Sequence, residues 1–339
     1  MGFLCSTRFV LLTLLISAIP IAILISLESA TPSSHQYHFH SAGFLRECSK
    51  YDALNSRFIV SFMEGGLGII PISNTTTTSV LHEIPVVKDA DLYGNATLGL
   101  TIDSKRNRVV VVISDPFGHK YSAVAAYDLT NWSRLFLTQL SGPDTIGPDK
   151  FAALNHVGDK SMADDVAVDA EGNAYITDLN KSKLWKVGVS GEYLLPIESP
   201  IFSPAVWYHK LATLNGIVYH PKGYLLVSHS TTGDLFKVDI MNNNAVKLVK
   251  MIGKSLSLPD GLELLSPNRL VVASMLGISL VGSNDDWETA TILEKAPVVR
   301  HRFATGVTVK DAKVYINHMF GMGYPKKKHV LAEAVFAVL

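Results

Sequence analysis

Four residues with hard oxygen donors, Glu47, Asp164, Asn215 and Asp260, stand at the openings of similar segments far apart along the chain. Carboxylates and amide carbonyls are the oxygens from which calcium sites are built, about six to eight per ion with water included. Four protein oxygens leave positions for water and a substrate oxygen. An open position of that kind is what Lewis-acid catalysis requires. Residues spread from position 47 to position 260 can share a site only if the chain returns repeatedly to one axis.

The sequence supplies such a repeat. Its unit is an apolar strand, a turn, a second apolar strand ending in a small polar residue, and a third strand. The clearest copies cover residues 164–188, 215–239 and 260–282, and weaker ones 47–73, 98–115 and 305–319. Their starts at 47, 98, 164, 215, 260 and 305 lie about 45 to 65 residues apart, a period that reads as a β-propeller. The turns agree, since Glu171-Gly172-Asn173 and Pro221-Lys222-Gly223 suit tight hairpins. Alternation in Leu235-Phe236-Lys237-Val238-Asp239 fits a half-buried strand. The expectation is an all-β, six-bladed β-propeller over residues 44–339, its last blade completed by outer strands from Val330–Leu339. Loops entering the innermost strands surround the axis of such a fold. The opening residues Glu47, Leu98, Asp164, Asn215, Asp260 and Thr305 are therefore expected to converge. Each alone reads equally well as a turn cap, because Asp and Asn often bond their own backbone at strand starts.

These motifs carry a resemblance. Asn215-Gly216-Ile217, Pro259-Asp260-Gly261-Leu262, the pair Asp164-Asp165 and Glu47 occur in the order and repeats seen in the senescence marker protein, gluconolactonase and strictosidine-synthase-like superfamily. The chain resembles its plant members with a hydrophobic N-terminus over residues 44 to 320 or so. The resemblance implies an axial divalent cation, usually calcium, and hydrolysis of lactones, esters or phosphotriesters. It implies metal ligation by Glu47, Asn215 and Asp260. Asp260 would also be general base or nucleophile, and Asp164 would bind substrate or reach the metal through water. Several positions depart from the pattern. Cys48 replaces a glycine, Lys50 adds a nearby positive charge, and Asp164 replaces an asparagine. Leu98-Gly99-Leu100 stands where some lactonases carry a histidine, while His119 and His156 match no motif and read as loop residues. Met162 stands where gluconolactonases bind a sugar acid through arginine, and Arg302–Val307 lacks the acid that drives amine–aldehyde condensation. The expected function is calcium-dependent hydrolysis of a small apolar lactone or ester. The alternatives are a non-enzymatic scaffold with a structural cation, and a degenerate strictosidine-synthase relative with another chemistry.

Before the repeats, Phe9–Leu27 carries no charge, follows Arg8, and is long enough to span a bilayer as a helix. Residues 1–30 are expected to be a signal peptide or signal anchor, and 31–43 a linker in which His35, His38 and His40 belong to a flexible stalk. Sequons at Asn74, Asn95, Asn131 and Asn180 agree with a lumenal or extracellular domain. Cys5 and Cys48 fall on opposite sides of the apolar segment, so no internal disulfide is expected. Lys+Arg and Asp+Glu both number 30, which argues against a nucleic-acid partner, and Lys326-Lys327-Lys328 reads as a solvated loop.

Overall fold

The computed structural model describes residues 18–28, 34–72, 80–89, 92, 94–142 and 160–337. They belong to two compact units, within Met1–His35 and Gln36–Leu339. In the first, residues 18–28 are helical, with Ile19, Ile21, Ile23 and Ile25 exposed. Much of Phe9–Leu27 lies outside the described residues, among which no helix is long and apolar enough to cross a membrane.

The second unit opens with β1 (Gln36–Ser41). Next come β2 (Arg46–Asp52), β3 (Arg57–Phe62), β4 (Leu67–Pro71), the two-residue β5 (Leu81–His82) and β6 (Ile84–Val87), with β2-β3-β4-β6 forming one sheet. A second sheet contains β7 (Ala96–Asp103), β8 (Arg108–Ser114), β9 (Ser122–Asp128) and β10 (Arg134–Ser141). A third contains β11 (Ala163–Val168), β12 (Ala174–Asp178), β13 (Lys183–Val187) and β14 (Tyr193–Glu198). Then follow β15 (Leu214–His220), β16 (Tyr224–His229), β17 (Leu235–Asp239), β18 (Ala245–Ile252), β19 (Pro259–Ser266), β20 (Arg269–Ser274), β21 (Gly277–Gly282) and β22 (Thr289–Ala296). These are two antiparallel meanders joined into one eight-stranded sheet, because Lys250–Ile252 of β18 pairs in parallel with Thr289–Thr291 of β22. The chain ends in β23 (Ala304–Lys310), β24 (Lys313–His318) and β25 (Lys327–Ala334).

Middle strands such as β8 and β16 are buried along their whole length because the meanders stack face to face. In β8, Val109, Val111 and Ile113 enter one core while Val110 and Val112 enter the next. In β16, Leu225 and Val227 face one neighbour, and Tyr224 and Leu226 the other. A strand buried on both faces reads as a continuous apolar run rather than an alternating one. The first strands β2, β7, β11, β15, β19 and β23 touch one another in that order, and β23 touches β2, which closes a ring.

The closure differs from expectation. The C-terminus contributes only β25 to the last sheet, whose order is β23-β24-β25-β1-β5. Its next strand is β1, from the stretch expected to be linker. His38 lies opposite Val330 and His40 opposite Lys328 in this ladder, so these histidines sit on a strand rather than a stalk. Lys327 and Lys328, expected in a loop, begin β25 for the same reason: β1 offers them a free edge to pair with. Phe39 and Leu331 are fully buried at this seam, which ties the two ends of the ring together.

Candidate functional site

Each first strand is interrupted at the same level. Its register against the second strand shifts between Arg46 and Ser49, Thr97 and Leu100, Ala163 and Val166, Leu214 and Ile217, Pro259 and Leu262, and Ala304 and Gly306. A bulge bends its strand and re-aims a side chain. The residues left out of register are Glu47-Cys48, Leu98-Gly99, Asp164-Asp165, Asn215-Gly216, Asp260-Gly261 and Thr305. The opening residues of the sequence repeats are thus the bulged residues of the strands that form the ring.

The glycines after them allow neighbouring strands to approach closely. A Cβ on Gly216 would collide with the carbonyl oxygen of Asp260, and one on Gly99 with the Asp165 carboxylate. On Gly261 it would lie 2.5 Å from the Thr305 carbonyl oxygen. Cys48, in place of the expected glycine, is accommodated as a buried thiol beside Gly306.

Asp164 and Asp165 stand close enough to Glu47 and Asp260 to raise the pKa of both. Burial pushes the Glu47 carboxyl well up, helped by the charges of Asp260, Asp164 and Asp165 and opposed by Lys50. Asp260 is also pushed well up, first by burial and then by Asp164 and Asp165, while a hydrogen bond from Asn215 acts against the shift. Burial with the charge of Asp165 raises Asp164 to about 7. Burial raises Asp165 to about 6, against Lys50 and the amides of Val166 and Ile217. Each of these carboxyls has its charged form disfavoured.

Glu47 Oε2 and Asn215 Oδ1 at this level, and Asn317 Oδ1 beside Glu47, are buried without a hydrogen-bond partner. An orphaned buried acceptor is costly and fits a cation. Among the described residues, no three His, Cys, Asp or Glu side chains meet closely enough to hold a metal by themselves. A cation here would therefore draw on Asn215 Oδ1 and water as well as carboxylates. That mixed hard-oxygen set suits calcium rather than zinc.

Neighbouring contacts hold the ring in place. Arg46, fully buried beside Glu47, donates to both carboxylate oxygens of Glu83 at 2.6 and 2.8 Å and to Glu64 at 2.8 Å. Thr305 donates its hydroxyl to the Glu47 carbonyl and adds no charge. Leu98 is buried and adds none either. Motif reading passed over Asn317, which lies on a second strand, β24, and outside every repeat opening. It also passed over Asp165 as a site residue. Below the ring the channel holds a cavity of about 310 Å³, lined among others by Lys50, Asp165, Tyr219, Glu263 and Thr308.

Of the sequons, Asn131 is exposed and Asn95 half-buried. Asn180 Nδ2 lies 3.0 Å from Nδ1 of His119. Asn74 and His156 are outside the described residues.

No family model and no curated protein matches the chain. Solved structures do match. The major allergen Mala s 1 of Malassezia sympodialis, a β-propeller, aligns with TM-score 0.66 and 16% identity over 91% of this chain and 97% of that one. The chain has a β-propeller-like fold. U3-55K aligns with TM-score 0.57 at 8% identity, over 90% and 100% of the two chains. A protein of unknown function from Bacteroides caccae gives TM-score 0.54 at 12% identity, over 79% and 87%. At these identities the likeness concerns the fold alone.

Proposed function

We propose that the chain is a six-bladed propeller of the senescence marker protein, gluconolactonase and strictosidine-synthase-like kind, working in the secretory pathway as a calcium-dependent hydrolase of a small apolar lactone or ester. The observation that carries this reading is the orphaned oxygens Glu47 Oε2 and Asn215 Oδ1, among buried carboxyls whose charges push the Glu47 pKa up. Glu47, Asn215 and Asp260 would hold the cation, with Asp164 close by. When bound, calcium polarises a carbonyl and stabilises the oxyanion formed from it.

The chain's own groups do the remaining work. Asp260 would take the proton of the attacking water, and as a cation-bound carboxylate it is a weak base, which suits a substrate with a good leaving group. Asn215 orients Asp260 through their hydrogen bond. Asp164 would bind a substrate oxygen or reach the cation through water. Exposed apolar residues in the loops leading to these strands, Phe44, Trp207, Leu211 and Leu258, favour an apolar substrate.

The test is calorimetry with calcium on residues 31–339 secreted from a eukaryotic host, beside turnover of a lactone and aryl-ester panel with and without chelator. Calcium binding with chelator-sensitive turnover that falls at least about a hundredfold in Asp260→Asn is expected. Full turnover in chelator or in that variant would sink the assignment. Calcium binding that stabilises the protein without any turnover would select the scaffold instead.

A further inference from the structure

Lys50 leaves β2 three residues after Glu47 and reaches across the channel. Its Nζ donates to Glu263 Oε2 at 2.5 Å and to the Val307 carbonyl oxygen at 2.9 Å, with the Leu262 carbonyl oxygen at 3.5 Å. The stem thus comes from β2 while the oxygens come from β19 and β23. Asp165 of β11 also faces the ammonium electrostatically: each favours the charged form of the other. Only 18% of the Lys50 side chain is exposed. Main-chain carbonyls and carboxylates converging on a compact positive charge make the donor set of a hard-cation site. Here the charge is an ammonium on a four-carbon stem.

We propose that the Lys50 ammonium fills a second cation position on the channel, beneath the ring, so that the channel takes at most one exogenous cation. The claim about the ring's own cation rests on the proposed function, whereas the Lys50 position stands on its own contacts. Glu263 and Asp165 then depend on Lys50 for compensation. Removing the charge strands two carboxylates, and removing the stem leaves room for a free cation. Lys50→Met keeps the bulk and removes the charge. Lys50→Ser removes both.

The experiment compares the melting temperatures of wild type, Lys50→Met and Lys50→Ser at pH 7.5. Each is titrated with calcium chloride and with methylammonium chloride, and choline chloride serves as the ionic-strength control. Both variants should melt roughly 5–10 °C lower than wild type in chelator. Lys50→Ser should regain most of that loss saturably with methylammonium or calcium, and Lys50→Met should not. A Lys50→Met protein as stable as wild type, or a folded Lys50→Ser protein indifferent to both cations, overturns the proposal. Should the variants not fold, calcium per wild-type chain decides it: one or none supports the proposal, and two overturns it. Wild type without calcium beside a Lys50→Ser protein that gains it would support the Lys50 position and refute the ring as a calcium site.

Discussion

The side-chain amide of Asn317 donates to the carbonyl oxygens of both Arg46 and Glu47, each at 2.8 Å. It also reaches Thr305 Oγ1 at 3.1 Å, and Thr305 in turn donates to the Glu47 carbonyl. Asn317 lies on β24, so the last sheet holds in place the residue that opens the first. The Glu47 carbonyl is drawn into this network, which leaves the side chain to serve the ring.

Asn317→Ala removes these donors from buried carbonyls. A loss of about 1–3 kcal/mol of stability is expected from unmet buried groups. Calcium affinity should fall at least about tenfold, read by calorimetry at a temperature where the variant is folded. Unchanged affinity would show that Glu47 is placed without Asn317.

Close approach of the ring strands makes the glycines after the bulges sensitive. Gly216→Ala would drive a methyl group into the Asp260 carbonyl, whereas Gly277→Ala meets nothing nearer than the Ala296 carbonyl oxygen at 3.6 Å. The first should lose about 2–4 kcal/mol in urea unfolding and the second about 0.5 or less. Equal effects would mean that the inner strands do not approach as described.

The Asp164 carboxyl gives the calcium-free protein a pH dependence of definite sign. Its folded pKa of about 7 lies above the ordinary 3.8, so the folded state holds this proton longer than the unfolded state does. The stabilisation is complete below the ordinary value and is lost as pH rises through 7. Asp164→Asn abolishes this dependence. In chelator its melting temperature should match wild type near pH 4 and exceed it by several degrees at pH 8. A difference that stays constant with pH would contradict the crowding of carboxyls at the ring.

At the seam the sign is opposite. His329 stacks on Phe39, donates through Nε2 to the Gly43 carbonyl at 3.1 Å, and is held down to about 3, chiefly by burial. Burial likewise lowers His318 to about 4. These neutral histidines contribute stability above their ordinary pKa of 6.5 that is lost as pH falls through the folded values. Hydrogen exchange of β1 should quicken at pH 5 relative to pH 7 once corrected for intrinsic rates. His329→Gln should blunt that change. A β1 equally protected at both pH values would rule out His329 as the acid-sensitive point of closure.

The clearest repeat openings are legible in the sequence because their bulges leave a local trace. An acidic or amide residue followed by glycine, between apolar runs, is visible at Asn215-Gly216 and Asp260-Gly261. The hairpin glycines Gly172 and Gly223, at φ of 95° and 90°, were legible for a similar reason, since few residues but glycine adopt that backbone readily. Asn317 left no such trace. It lies inside the apolar strand KVYINH, where an asparagine reads as a strand-end residue until β2 is placed beside it. Lys50 was noticed as a charge near Glu47, but its partners Glu263 and Val307 lie more than 200 positions away.

The sequence by itself determined the period, the turns and the identity of the bulged residues, because these depend on backbone preferences over a few neighbouring positions. Tertiary structure alone decided which strand closes the ring. β25 had a free edge, and the segment before β2 paired with it although its own composition reads as a linker. Tertiary structure also decided the charge state of the ring. The shifts of Glu47, Asp164, Asp165 and Asp260 come first from burial, with repulsion by neighbouring carboxylates added at Glu47, Asp164 and Asp260, and both arise when strands distant in sequence are brought around one channel.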